Sequence, residues 1–397
     1  MPLSEKERDH LINYQFRGGD LSLLYKHVLS HWSQWCVDTF VPAYIAPNLL
    51  TIMGLVISIS ATIITLIVHP SLEPGTPRWV GLMIGIAIFA YQTLDSMDGK
   101  QARKTNSSSA LGMVFDHGCD AINAGTTVLA MAAVFGTGWS GKLLITYFGS
   151  FTPFYIQTWE EYYTGCMIFP AFNGPTQGLL MAIVVCFIQF YTGNEFFHQE
   201  LFQLPSYLLL PENAFTREMD YPSLQSPGVT PFRMMVVLVT VCLIPTFIIH
   251  PYRVIQHQME QKADFIVPLL YLTPYFIIAF CIFQYSSYST IAFSQYPLVT
   301  ALLYGSMFAE INIYIMTSHI LHRPLDMLRR YPLWIVVALT AIVLSQNPLL
   351  LSWEAAVLFV GTIISVAILA SQIVIICSEY CLALNIYVFQ LGKAKYE

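Results

Sequence analysis

Charge is what this chain has least of. Only 11% of its 397 residues are Asp, Glu, Lys or Arg, against 55% hydrophobic, whereas soluble domains carry about 25% charged residues. That shortage excludes an ordinary soluble domain and points to a membrane protein. The net charge of −6 is spread thinly, with no acidic or basic run long enough to form a tail, which argues against a nucleic-acid partner. Metal-binding cysteine patterns are missing as well. The 8 cysteines are scattered, without a CxxC pair or a Cys/His spacing for zinc. Cys377 and Cys381, four apart on one expected helix, read as buried or lipid-facing thiols. The opening MPLSEKERDHLINYQFRGGD lacks the apolar core of a cleavable signal peptide, so insertion is expected to begin at the first internal apolar span. No soluble domain, low-complexity tract or internal repeat is visible.

What is present is a series of long apolar runs. A membrane helix needs about 20 mainly apolar residues. Ten runs qualify, centred near residues 58, 87, 124, 149, 184, 240, 275, 306, 341 and 368. The fourth is shortened by Pro153, and the eighth carries Glu310 and Asn312. Before the first, residues 21–40 mix apolar and aromatic side chains with Lys, His and Asp. They read as an amphipathic helix in the interface, with Trp32 and Trp35 at headgroup level. Pro42 and Pro47 then turn the chain into the first span. The expected fold class is all-α: a polytopic membrane protein of about ten transmembrane helices with an N-terminal interfacial helix.

Lys and Arg concentrate on the cytoplasmic side of membrane proteins. With ten spans and a cytosolic N-terminus, that side holds Lys6, Arg8, Arg17, Lys26, Lys100, Arg103, Lys104, Arg253, Lys262, Arg323, Arg329, Arg330, Lys393 and Lys395. The other keeps Arg78, Lys142, Arg217 and Arg233, a split of 14 to 4 among 18 cations. Both termini are therefore expected in the cytosol, where the sequon Asn106-Ser107-Ser108 stays unmodified. The longest loop, about residues 194–229, is acidic, lumenal and expected to have little regular structure. The chain divides into a cytosolic N-terminal segment (1–47), a catalytic membrane region (48–200), remaining helices for the lipid substrate and oligomer (201–390), and a cytosolic tail (391–397).

Against this background, YQTLDSMDGKQARKTNSSSALGMVFDHGCD, residues 91–120, stands out. An ionised carboxylate in hydrocarbon costs several kcal/mol, so it needs a partner or a function. Asp95 and Asp98 are three apart at the end of the second span, and Asp116 and Asp120 four apart near the start of the third, so each pair shares a helix face. Gly99, Gly112 and Ala102 allow close approach of backbone or ligand. Four converging carboxylates repel one another. Lys100 and Arg103 are too few to neutralise them and also serve a substrate. Mg²⁺ or Mn²⁺ fits better, because hard cations take carboxylate oxygens and combine them with substrate phosphates. Arg103 offers a fork for phosphate oxygens, and His117 can take a proton from a hydroxyl. Solvated helix-end charges and an ion or proton pathway are the competing readings; neither explains Arg103 and the glycines between the pairs.

Written as a pattern, the residues are Asp95-x2-Asp98-Gly99-x2-Ala102-Arg103-x8-Gly112-x3-Asp116-x3-Asp120. This resembles the signature of the CDP-alcohol phosphotransferase family. DGKQARKTNSSSALG, FDHGCD, APNLLT (Ala46–Thr51) and WEEYYTG (Trp159–Gly165) resemble its eukaryotic choline/ethanolamine phosphotransferase branch. Chain length and span count agree with that branch over nearly the whole chain. The resemblance implies transfer of a phospho-alcohol from CDP-choline or CDP-ethanolamine to diacylglycerol, releasing CMP, in the endoplasmic reticulum or Golgi. It implies two divalent ions held by Asp95, Asp98, Asp116 and Asp120. Gly99, Gly112, Arg103 and Asn48 would approach the nucleotide and its phosphates. His117 would be the general base, with Asp120 as rival, and the family usually forms homodimers. One departure stands out: relatives usually read Gly-Glu-Leu-Phe-Asp where this chain has Gly112-Met113-Val114-Phe115-Asp116. Three readings stay open: Met113 only tunes the rate, Glu160 or Glu161 substitutes from the neighbouring span, or the protein binds substrate and turns over poorly. A strictly ethanolamine-specific enzyme and a weakened lipid- or nucleotide-binding paralogue are the alternatives.

Three other features carry expectations. Trp159 and Tyr162, with the acids between them, read either as an aromatic belt or as a cation–π site for the substrate ammonium. Glu310 and Asn312 are expected between helices or at a lipid cavity. His319 and His322 read as interfacial residues.

Overall fold

The computed structural model describes residues 3–205, 228–326, 328 and 330–392. Arg217, Arg329, Lys393, Lys395, most of the 194–229 loop and most of the 391–397 tail lie outside the described residues. Helix dominates the rest. A spanning segment finds no water in lipid, so it must bond its N–H and C=O groups within itself.

The chain opens with α1 (Glu5–Asn13) and β1 (Gly18–Asp20), then a π-helical turn (Tyr25–Leu29) that runs into α2 (Ser30–Phe40). There follow α3 (Pro47–Val68), α4 (Arg78–Lys104), α5 (Ala110–Phe135), α6 (Gly141–Thr164), β2 (Met167–Phe169) and α7 (Gly174–Thr192). The second half holds α8 (Pro231–Glu260), α9 (Ile266–Tyr288), α10 (Pro297–Ile320), α11 (Tyr331–Ser345) and α12 (Glu354–Leu384). Among the described residues, eight helices are long and apolar enough to cross a membrane: α3, α4, α5, α7, α8, α9, α10 and α12. All ten expected centres fall in helices, but the apolar part of α11, Leu333–Ser345, is shorter, and α6, with Lys142, Glu160 and Glu161, is not among the eight. Pro153 does not shorten α6, which continues through it. The loop beyond α7 has some regular structure after all: Phe202–Gln203 pairs antiparallel with Gly228–Val229.

Two helices, α5 and α10, run through the middle of the bundle, each with 72% of its apolar window buried. They meet at small residues, where a Cβ on Gly125 would lie 3.5 Å from the Gly305 Cα. Between membrane helices such close backbone contact replaces the hydrophobic drive of water. α6 packs beside both, with Phe151 stacked on Phe308 at 3.8 Å and Tyr155 on Tyr275 at 4.3 Å. In the front half α3 lies against α4 and α5, and α4 against α7. α2 buries Cys36 and Val37 against Leu50 of α3 and Met97 of α4, leaving Trp32 and Trp35 exposed.

Before β1, the chain is drawn over one end of the bundle. Arg323 Nε donates to Glu7 Oε1 at 2.5 Å. That guanidinium holds the Glu7 carboxyl down at about 2. A depressed carboxyl stabilises the fold above its ordinary value near 4.5 and loses that contribution only as pH falls towards 2. Leu11 is the buried residue of α1, in one cluster with Met113, Ile320 and Tyr380.

Gly81 is where α4 and α7 come closest: a Cβ there would fall 1.9 Å from Gln189 Oε1 and 2.9 Å from the Cys186 carbonyl. Gly81→Ala is expected to lower the thermal unfolding midpoint in detergent by several degrees. Gly19→Ala, with nothing within 4 Å of the new atom, leaves it unchanged.

Candidate metal centre

The hairpin of α4 and α5 builds the site. α4 ends at Lys104, and Ser109 starts α5 by accepting a hydrogen bond from Gly112 N–H at 3.2 Å. Asn106 takes the left-handed conformation between them, φ 52°, which Asn tolerates better than most residues. So tight a turn sets the last turns of α4 beside the first turns of α5. Carboxylate oxygens of Asp95, Asp98 and Asp116 then come within 4.8 Å of one another.

These oxygens are short of partners. Asp95 Oδ1 and Asp116 Oδ1 are buried with no hydrogen bond among the described residues. Lys100, expected as a counter-charge, turns away: its Nζ donates to Ser30 Oγ of α2 at 3.0 Å. Lys104 likewise caps α2, donating to the Val37 and Val41 carbonyls. Arg103 is exposed and in no ion pair among the described residues, so its fork is available to a ligand. Three converging carboxylates, two of them with an unpartnered oxygen, are the hard donors that Mg²⁺ or Mn²⁺ takes. The residues present therefore fit a divalent cation better than they fit one another.

Two hydroxyls that the sequence reading passed over aim the carboxylates. Thr51 Oγ1 of α3 donates to Asp98 Oδ2 at 2.5 Å, and the Tyr91 hydroxyl donates to Asp120 Oδ1 at 2.5 Å. A signal existed for each: Tyr91 lies one turn before Asp95 on α4, and Thr51 one turn after Asn48 on α3. The polar stripe of α5 continues to Asn123, which accepts from Ser58 Oγ at 2.5 Å. Asp120 stands outside the trio, tied to Tyr91. The imidazole of His117 is fixed by its own helix, Nδ1 lying 3.2 Å from the Met113 carbonyl. A carbonyl only accepts, so Nδ1 carries the proton and Nε2 of the neutral ring keeps a lone pair.

Neither Gly99 nor Gly112 marks a tight helix contact. A Cβ on Gly99 would meet only Arg103 Nη1 at 3.7 Å, and one on Gly112 only Ser109 Oγ and Asn48 Oδ1 at 3.6 and 3.7 Å. Space beside them is open. Asn48 is at the site, with its amide donating to the Val388 carbonyl at 2.9 Å.

The other expectations meet mixed outcomes. Trp159 is fully buried, its indole N–H donating to the Pro268 carbonyl at 3.1 Å, and Tyr162 donates to the Arg323 carbonyl at 2.8 Å. They are core anchors, neither an aromatic belt nor an ammonium site. Glu160 is bound by His250 Nδ1 and by Arg253 at 3.4 Å, so it is not free to replace an acid elsewhere. Glu161 is 2% exposed with Oε2 unpartnered among the described residues. Glu310 is fully buried against Arg330, whose guanidinium lies 4.3 Å from the Tyr314 ring centre, an interhelical role as expected. His319 and His322 face the N-terminal segment, the His322 ring 4.2 Å from the His10 ring and tilted by 33°, the His319 ring edge-on to Tyr14.

An integral membrane bundle with a carboxylate trio at one helix hairpin defines a class of membrane-embedded transferases. The CDP-alcohol phosphatidyltransferase family model matches residues 44–201, which include the hairpin. Choline/ethanolaminephosphotransferase 1 of Arabidopsis thaliana is 30% identical over 393 residues, covering 96% of each chain. An uncharacterized class-I family protein 2 of Dictyostelium discoideum is 38% identical over 195 residues, and this match spans 47% of that protein's length. Choline/ethanolaminephosphotransferase 1 of Saccharomyces cerevisiae is 35% identical over 186 residues, 47% of this chain and 46% of that one. The chain belongs to the CDP-alcohol phosphatidyltransferase family.

Partners that orient metal ligands typically cost 10–100-fold in affinity when lost. Thr51→Val and Tyr91→Phe are each expected to weaken Mn²⁺ binding at least about tenfold, read by titration of Mn²⁺ into purified protein. Unchanged binding in both would detach these hydroxyls from any metal role.

Proposed function

We propose that this enzyme transfers phosphoethanolamine or phosphocholine from CDP-ethanolamine or CDP-choline to diacylglycerol. CMP leaves, and phosphatidylethanolamine or phosphatidylcholine forms. The convergence of Asp95, Asp98 and Asp116 with unpartnered oxygens carries this reading. The printed names of the Arabidopsis and yeast relatives support it.

In this reading Asp95, Asp98, Asp116 and Asp120 hold two Mg²⁺ or Mn²⁺ ions. Bound there, the ions would offset charge on the diphosphate and on departing CMP. Arg103 takes a phosphate oxygen, while the open space over Gly99 and Gly112 receives the nucleotide. Asn48 joins them by exchanging the Val388 carbonyl for a substrate group. The diacylglycerol hydroxyl oxygen bonds to the phosphorus bearing the alcohol, and the bond from that phosphorus to CMP breaks. The hydroxyl proton passes to His117 Nε2, whose tautomer the Met113 carbonyl supports. Asp120, tethered by Tyr91, is assigned to the metals rather than to proton transfer.

The reading extends to the domain layout, with catalysis in residues 48–200, and to ten spans with the site facing the cytosol of the endoplasmic reticulum or Golgi. The 14 to 4 split of cations supports that orientation. It places water-soluble CDP-alcohol and bilayer-borne diacylglycerol at the same helix ends. A homodimer follows only from the family resemblance.

One observation favours a second reading. Met113 is 8% exposed, among apolar neighbours, so the turn before His117 offers no titratable side chain. A weakened paralogue that binds substrate without efficient turnover would look like this.

CMP release by purified protein with diacylglycerol and either CDP-alcohol, with Mg²⁺, Mn²⁺ or EDTA, separates the two. Metal-dependent release abolished by Asp116→Ala is the expected outcome, and the faster donor names the headgroup. Folded protein that binds CDP-alcohol yet releases no CMP would overturn catalysis. In that case Met113→Glu is the variant that tests whether position 113 is responsible.

A further inference from the structure

The N-terminal segment is fastened across the end of α5 that carries His117. Ser4 and Glu7 close a capping box at the start of α1, with Ser4 N–H donating to Glu7 Oε2 at 2.8 Å and Glu7 N–H to Ser4 Oγ at 3.4 Å. The other oxygen of Glu7 holds Arg323, and Leu3 N–H reaches Glu379 Oε2 of α12 at 3.3 Å. Leu11, 1% exposed, seats α1 in the cluster that contains Met113. Further on, β1 pairs in parallel with β2, Gly18 opposite Met167, and Met167 N–H donates to the Arg17 carbonyl at 2.9 Å. Between these two anchorages Phe16 lies with its ring 6.2 Å from the His117 ring, tilted by 37°.

Gly18 is what makes the second anchorage possible. A Cβ there would lie 2.3 Å from the Met167 carbonyl oxygen and 2.6 Å from the Phe16 ring. Strand pairing and the placement of the Phe16 ring thus depend on the same missing atom. On the other side, among the described residues His117 makes one hydrogen bond, to a backbone carbonyl one turn back. The residue there is methionine, with no polar group to aim the imidazole. The Phe16 ring, itself 47% exposed, is the aromatic neighbour that the described residues give this imidazole.

We infer that Phe16 is a positioning residue for His117, held in place by a strap formed by residues 3–21. The inference rests on the proposed role of His117. The strap limits rotation of the imidazole about its bond to the helix, so that Nε2 stays directed at the acceptor hydroxyl.

The test uses the full chain in detergent with three variants: Phe16→Ala, Phe16→Tyr and Gly18→Ala. Three readouts are taken: kcat and KM for CMP release, binding of CDP-alcohol with Mn²⁺, and the rate of tryptic cleavage at exposed Arg17. An aromatic pair is worth up to about tenfold in an equilibrium, so Phe16→Ala is expected to lower kcat by about that factor. KM for CDP-alcohol and its binding stay within about twofold, because neither depends on the ring. Phe16→Tyr restores kcat. Gly18→Ala lowers kcat likewise and speeds cleavage at Arg17. Wild-type kcat in Phe16→Ala, failure of Phe16→Tyr to restore it, or faster cleavage in Gly18→Ala with unchanged kcat would each overturn the inference. Failure of the underlying reading is distinct: the unmodified chain would release no CMP, or His117→Ala would turn over normally.

Discussion

Burying charge among apolar helices is the constraint on which the rest of this structure depends. Removing one partner from a buried ion pair leaves an uncompensated charge, at a cost of about 3–5 kcal/mol. The molecule meets this constraint in two ways. Glu160 is answered by His250 and Arg253, and Glu310 by Arg330. Glu160 is closed in this way, whereas both Glu310 oxygens, though set against Arg330, have no hydrogen-bond partner among the described residues. The trio of Asp95, Asp98 and Asp116 is open. Its nearby lysines point to α2, and two of its oxygens face no donor. What sets the trio apart is that three carboxylates converge within 4.8 Å of one another with no cation among the described residues between them.

Everything near the trio serves its geometry. The short turn capped by Ser109 fixes which turns of α4 and α5 face each other. α3 brings Thr51 to Asp98, and α4 itself brings Tyr91 to Asp120. Lys100 and Lys104, by turning outwards, tie α2 to α4 without neutralising the site. Such supporting hydrogen bonds fix ligand orientation and ligand basicity together.

Much of this was legible in the sequence, because it is local. Apolar runs marked the helices, and spacings of three and four placed each aspartate pair on one face. What was not legible depends on contacts distant in the chain. Glu7 and Arg323 are 316 residues apart, so nothing near either residue announces the pair. Trp159 looked like an interfacial aromatic because its burial is decided by Pro268, 109 residues away. The close helix contacts at Gly81 and Gly125 were hidden for a related reason, because their partners lie in other helices. The direction Lys100 takes was not legible either, because a lysine's long stem lets its charge settle on either side of a helix.

The fastening of residues 3–21 has a consequence for how such enzymes diverge. The segment matched by the family model, residues 44–201, contains the aspartate hairpin and Met167, but not Glu7, Phe16, Arg323 or Glu379. The aspartate hairpin and most of the residues that fasten the N-terminal segment therefore lie in different parts of the chain. Substitutions at either terminus can retune that fastening while the aspartates stay untouched. Two members that share every motif residue can then differ in turnover for reasons that a comparison of their motifs would never reveal.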